Sequence, residues 1–120
     1  MSTPISIVLQ AKSAINLSDL SASGSGAVQV KGLQAGAYSV TLKNDTMQFR
    51  SGIKVNQIII FNTSPVTTGD YIRWYYLVNT VEGIVMNYDG SGSVYVFIVD
   101  HGTVADNTGS VTVNFSLVPS

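Results

Sequence analysis

The residues best suited to chemistry lie near the C-terminus, in the run Asp100-His101-Gly102-Thr103-Val104-Ala105-Asp106-Asn107-Thr108-Gly109-Ser110. The run sets two carboxylates, a carboxamide and two glycines between stretches that alternate like strands. A hard cation such as Ca²⁺ takes about six to eight oxygens from carboxylates, amides and backbone carbonyls. Asp100, Asp106 and the Asn107 side-chain oxygen supply three such groups, and the Thr103 carbonyl a fourth. Two carboxylates would neutralise the ion, and its open positions would accept ligand hydroxyls. The same residue types also populate an ordinary turn, because Asp and Asn tolerate turn geometry. Spacing alone leaves the metal loop and the plain turn both standing.

Other chemistry is sparse. His101 is the single histidine and adjoins Asp100. Neighbours on an extended chain point to opposite faces, so the pair reads as an exposed loop histidine and not as a dyad. No nucleophile elbow, His-Glu-x-x-His pair or phosphate-cradling glycine loop is present. The carboxylates Asp19, Asp45, Asp70, Glu82 and Asp89 fall singly at turns, which supplies no acid and base pair for hydrolysis. No catalytic function is expected. A second candidate is the aromatic run Tyr71-Ile72-Arg73-Trp74-Tyr75-Tyr76-Leu77-Val78. Its rings could stack on sugars and its guanidinium could donate a fork of hydrogen bonds. Aromatic residues equally build cores and subunit interfaces. Trp74 is expected in the core, with Tyr71, Arg73 and Tyr75 facing a partner or solvent.

The elements that would position these residues are strands. Residues 111–117 alternate apolar and polar, as a half-buried antiparallel strand does. In 71–78, Ile72, Trp74, Tyr76 and Val78 share one face, with Tyr71, Arg73, Tyr75 and Leu77 opposite. Residues 94–99 are apolar on both faces and read as a central strand. Weaker strands are expected at 5–10, 27–31, 37–42, 46–49, 55–61 and 83–87, divided by Gly, Asn and Asp turn signals. Only 11–20 could hold a helical turn. Eight or nine short strands at this spacing predict one all-β domain over 1–120, an antiparallel β-sandwich or jelly roll.

Composition narrows the partners. Hydrophobic residues make up 45% and charged residues only 11%, against roughly 25% charged in typical soluble domains. Seven acids balance six bases, which excludes an electrostatic footprint for nucleic acid. So weakly charged a surface does little to repel copies of itself, and a homo-oligomer or larger assembly is expected. There is no cysteine, hence no disulfide or thiolate site. No secretory signal and no membrane-length apolar run are recognisable, so a soluble protein is expected, cytoplasmic or exported by a non-classical route.

Over its last quarter the chain resembles the PA-IL family of galactophilic bacterial lectins, calcium-dependent β-sandwich proteins. Asp100, Thr103, Asp106, Asn107 and the Thr108-Gly109-Ser110 turn follow the family's order, ahead of Val111-Thr112-Val113-Asn114. The loop is one residue shorter than the family's, and Asp106 stands where the family has the first of two asparagines. Tyr38 and Phe49 lie in the region of the family's aromatic ligand. The resemblance implies Ca²⁺ held by Asp100, Thr103, Asp106 and Asn107, with a glycan contacting the ion, Asp100, His101, Asp106 and Asn107. Two functions therefore stand as expectations. One is a calcium-dependent carbohydrate-binding module; the other is a structural subunit of a virion, appendage or surface layer that self-associates without a ligand.

Overall fold

β-Branched and aromatic residues alternating with Ser, Thr and Asn produce strands almost throughout. The computed structural model describes residues 4–17, 19, 26–49, 53–54, 57–63, 72–79, 83–100 and 104–119. Its strands are β1 (Ile5–Gln10), β2 (Ile15–Asn16), β3 (Val28–Val30), β4 (Gly36–Lys43), β5 (Gln48–Phe49) and β6 (Ile53–Lys54). They continue with β7 (Ile58–Thr63), β8 (Ile72–Val78), β9 (Ile84–Tyr88), β10 (Val94–Phe97), β11 (Val99–Asp100) and β12 (Ser110–Leu117).

Two four-stranded antiparallel sheets carry the fold, ordered β1-β12-β4-β9 and β3-β10-β7-β8. Numbering these eight strands along the chain gives 1-8-3-6 and 2-7-4-5, the interleaving of a jelly roll. Every neighbour but the β7–β8 hairpin is distant in sequence. The small pairs β11-β2 and β5-β6 sit outside the two main sheets.

The core lies between the sheets. From the first sheet, the row Ile5–Phe115–Val40–Ile84 crosses all four strands on the inward face. From the second come Val94, Val96, Ile58, Ile60 and Val78, all nearly or wholly buried. Burying a side chain of this size contributes about 1.5–3 kcal/mol, which makes the inward rows the main source of cohesion.

Several expectations shift in detail. The strand expected over 94–99 breaks at Ile98: β10 stays in the sheet while β11 pairs with β2 in parallel. The Ile98 carbonyl accepts from the Ile15 N–H at 2.8 Å, which fixes that switch. The strand expected at 55–61 runs Ile58–Thr63, and 55–56 lie outside the described residues. Where a helical turn was expected, Ala11–Ser13 form a 3₁₀ turn followed by β2, because Ala11 and Ala14 are small enough to bury completely; residues 18 and 20 lie outside the described residues. Trp74 packs against the core as expected but is only half-buried there, and it meets Tyr76 edge to face at 5.3 Å. The cause is position, since β8 is an edge strand.

Candidate functional site

The C-terminal loop folds against the end of the sandwich. Asp100 ends β11 beside Asn16 of β2, and the chain re-enters the described structure at a 3₁₀ turn over Val104–Asp106. The turn closes with the Asn107 N–H donating to the Val104 carbonyl at 3.1 Å. Thr108 then exchanges two 2.9 Å backbone bonds with Gln48, and Gly109 accepts from the Ala11 N–H at 2.9 Å. Gly109 has φ +84°, and a Cβ there would run into the Thr46 carbonyl oxygen. Glycine is needed for both reasons. The loop is thereby clamped between the 3₁₀ turn of Ala11–Ser13 and the segment leading into β5.

Within this clamp the structure brings Asp100 and Asn107 together. Asn107 is fully buried, and its Nδ2 donates to Asp100 Oδ2 at 3.0 Å and to the Ala11 carbonyl at 3.1 Å. Those two acceptors fix the amide orientation, because a flipped amide would face oxygen with oxygen. Asn107 Oδ1 is left as the only buried side-chain oxygen or nitrogen among the described residues without a hydrogen-bond partner. An orphaned buried acceptor of this kind costs about 1–3 kcal/mol unless a water or cation serves it.

The remaining sequence candidates divide. Asp106 lies exposed on the 3₁₀ turn. Thr103 and His101 lie outside the described residues, as does Tyr71 of the aromatic run. Tyr38 is a core residue whose hydroxyl closes the turn into β4, donating to the Gln34 carbonyl at 3.1 Å and accepting its N–H at 2.9 Å. Among the described residues no group of three acid, histidine or cysteine side chains is arranged to hold a metal. For a hard cation the fit is partial: Asn107 Oδ1 is a suitable donor and Asp100 adjoins it, while Asp100 Oδ2 already accepts the amide.

Arg73 of the aromatic run is held by an acid. Its guanidinium forks onto Asp89, Nη2 to Oδ2 at 2.6 Å and Nη1 to Oδ1 at 3.3 Å. Nη1 also reaches Oδ1 of Asn62 at 3.3 Å, a fully buried amide whose Nδ2 donates to the Ser91 and Ser93 carbonyls. Arg73 thus ties β8 to the turn between β9 and β10. That connection pairs residues 16 apart and has no local sequence signal.

The feature that strand-by-strand reading missed is the outward face of the second sheet. Register aligns Tyr95 with Phe61 and Phe61 with Tyr75, and beside them Phe97 with Ile59 and Ile59 with Leu77. Phe61 stacks on Tyr95 at 5.2 Å and meets Phe97 edge-on at 5.5 Å. At the open edge Tyr75 is 70% exposed and Leu77 48% exposed. The first sheet is different outside: Ser6–Asn114–Thr41 forms a polar row, and Ser116 pairs with Ser39. Only strand order could reveal this contrast, because β7, β8 and β10 bring these rings from three separate segments.

No protein-family model and no curated protein matches the chain. A solved structure described as "Bacillus endospore appendages form a novel family of disulfide-linked pili" is similar over 98% of this chain and 87% of its own, at 15% identity and TM-score 0.41. The present chain has no cysteine with which to form a disulfide.

Proposed function

We propose that this protein is a non-catalytic structural subunit that associates with copies of itself. The observation that carries the reading is the aromatic and aliphatic row Tyr95–Phe61–Tyr75 with Phe97–Ile59–Leu77 on an outward sheet face, where the other sheet sets polar rows with only Val8 and Val85 as exposed aliphatics among them. Contiguous outward apolar surface that ends in a strongly exposed tyrosine marks an interaction surface. A formal net charge of −1 gives copies no electrostatic reason to stay apart. Sedimentation of the full chain from micromolar to millimolar concentration tests this: the weight-average mass should rise with concentration and without added ligand. A chain monomeric throughout sinks the reading.

A second reading, calcium-dependent glycan binding, is favoured by one observation, the unpartnered buried Asn107 Oδ1 beside Asp100. Under it, Asp100 and Asn107 are the oxygen donors the fold contributes, and Thr103 and Asp106 complete the set. Thermal unfolding of metal-stripped protein with and without millimolar Ca²⁺ separates the readings. A cation that binds only the folded state adds about 2.7 kcal/mol at a hundredfold excess over Kd. An Asp100→Ala variant should lose that rise. No shift in folded, metal-free wild-type protein removes calcium, and with it the lectin.

A further inference from the structure

We infer that β8 is the pairing edge of this subunit and that a second copy of the chain adds to it antiparallel, about a two-fold axis through Tyr75. The inference rests on the self-association proposed above and names its geometry.

The two sheets present four edges: β1, β9, β3 and β8. Natural sheets blunt their edges with short strands, proline, lysine, inward charge or β-bulges. The other three edges are shorter than β8, by one residue at β1, two at β9 and four at β3. β3 is three residues long and is followed by Lys31. β9 is five residues long, between Gly83 and Asp89. β1 begins after Pro4 and turns Ser6 and Gln10 outward beside Val8. β8 is seven residues long, the longest of the four, and contains no proline, glycine, lysine or acid. Its one charge, Arg73, is already neutralised by Asp89. At its start β8 is blunted too, since its pairing with β7 skips Arg73 in a bulge and Arg73 reaches in to the buried Asn62; the pairing edge is the stretch from Trp74 to Val78, which is regular and uncharged.

The sequence of β8 is also compatible with itself. In antiparallel pairing about Tyr75, that residue faces its own copy and Trp74 faces Tyr76, while the bulge sets Ile72 and Arg73 beyond the regular ladder. No two like charges meet, whereas directly opposed like charges would disfavour the pair. Side chains on one face of a strand stay on that face across the new pair. The row Tyr95–Phe61–Tyr75 of one copy therefore continues into Tyr75–Phe61–Tyr95 of the next, forming one eight-stranded sheet with an unbroken aromatic ridge. An interface of this type is isologous, each copy offering the same surface. A foreign extended strand could use the same backbone groups, but would need its own matching apolar row; a second copy supplies that row by symmetry.

The test is sedimentation of three full-length variants beside wild type, each first shown to unfold at a wild-type temperature. Tyr75→Lys sets two ammonium groups face to face at the axis, on a side chain exposed enough to spare the core. Tyr75→Glu does the same with carboxylates. Val85→Lys places a charge on the β9 edge, at a residue 58% exposed, as a control. We expect at least a tenfold weaker association for each Tyr75 variant alone, recovery when the two are mixed, and no change for Val85→Lys. If wild type associates and the Tyr75 variants do so equally well, the β8 geometry is overturned while self-association stands. If only Val85→Lys dissociates, the pairing edge is β9. A wild-type chain that stays monomeric overturns the inference and the reading beneath it.

Discussion

At the scale of single residues, three buried asparagines organise the loops: Asn16, Asn62 and Asn107 are the buried polar residues of the described structure. Each can bridge strands that apolar residues could only pack, since one amide offers two donors and an acceptor. Asn62 shows the dependence, because its buried oxygen accepts from Arg73. Arg73 in turn holds the Asp89 carboxyl below its ordinary 3.8, chiefly by their side-chain hydrogen bond. A carboxyl depressed in the folded state adds stability that is complete above its unfolded value and lost as pH falls through the folded one. Arg73→Ala should therefore lower the melting temperature at neutral pH, and its deficit against wild type should shrink below about pH 4. The deficit should not vanish, since the lost donor to Asn62 does not titrate. Melts at neutral and acid pH check this; a deficit constant across them would mean that Asp89 gains nothing from Arg73.

At the scale of elements, the ends of strands matter as much as their faces. β12 can enter the first sheet only if the preceding loop passes directly over Thr46, and Gly109 permits that passage. Gly109→Ala should destabilise by more than the roughly 1–3 kcal/mol of a non-glycine residue at positive φ, because the new methyl also meets a backbone carbonyl. Gly26 is the internal comparison: it has φ +79° and no described residue would meet a methyl there, so Gly26→Ala should show the backbone cost alone. Urea titration of both variants separates the two contributions. Equal midpoints would mean that the loop shifts to admit the methyl. The alternation of β8 was legible from Trp74 onward, with Tyr75 and Leu77 exposed and Val78 buried, but Ile72, expected on the inward face, is 54% exposed because the bulge at Arg73 breaks the period. The edge position of β8 was not legible, because edge and central strands differ in their neighbours, and neighbours come from elsewhere in the chain.

At the scale of the whole molecule, the jelly roll explains how so little charge can suffice. Alternation lets each strand place one face in the core, and Ser, Thr and Asn on the first sheet's outer face provide hydration without ions. The second sheet departs from that pattern with its aromatic outer rows. Association through such a surface should depend weakly on ionic strength, as only charged contacts are screened by salt. The same sedimentation runs in low and high salt check it, and dissociation by salt would point to a charged interface instead. No helix among the described residues is long and apolar enough to cross a membrane.

Sequence by itself determined the all-β class, most strand positions and the inward or outward sense of many side chains, because period-two alternation is a local property written in consecutive residues. It also brought Asp100 and Asn107 forward together, and these two, seven positions apart, do meet. Tertiary structure decided the rest. It turned the Asn107 amide toward Asp100, left Trp74 half-exposed at an edge, and assembled Phe61, Tyr75, Tyr95 and Phe97 into one surface. Those outcomes depend on which strands lie side by side, and hydrogen bonds between segments distant in the chain carry no trace in either segment alone.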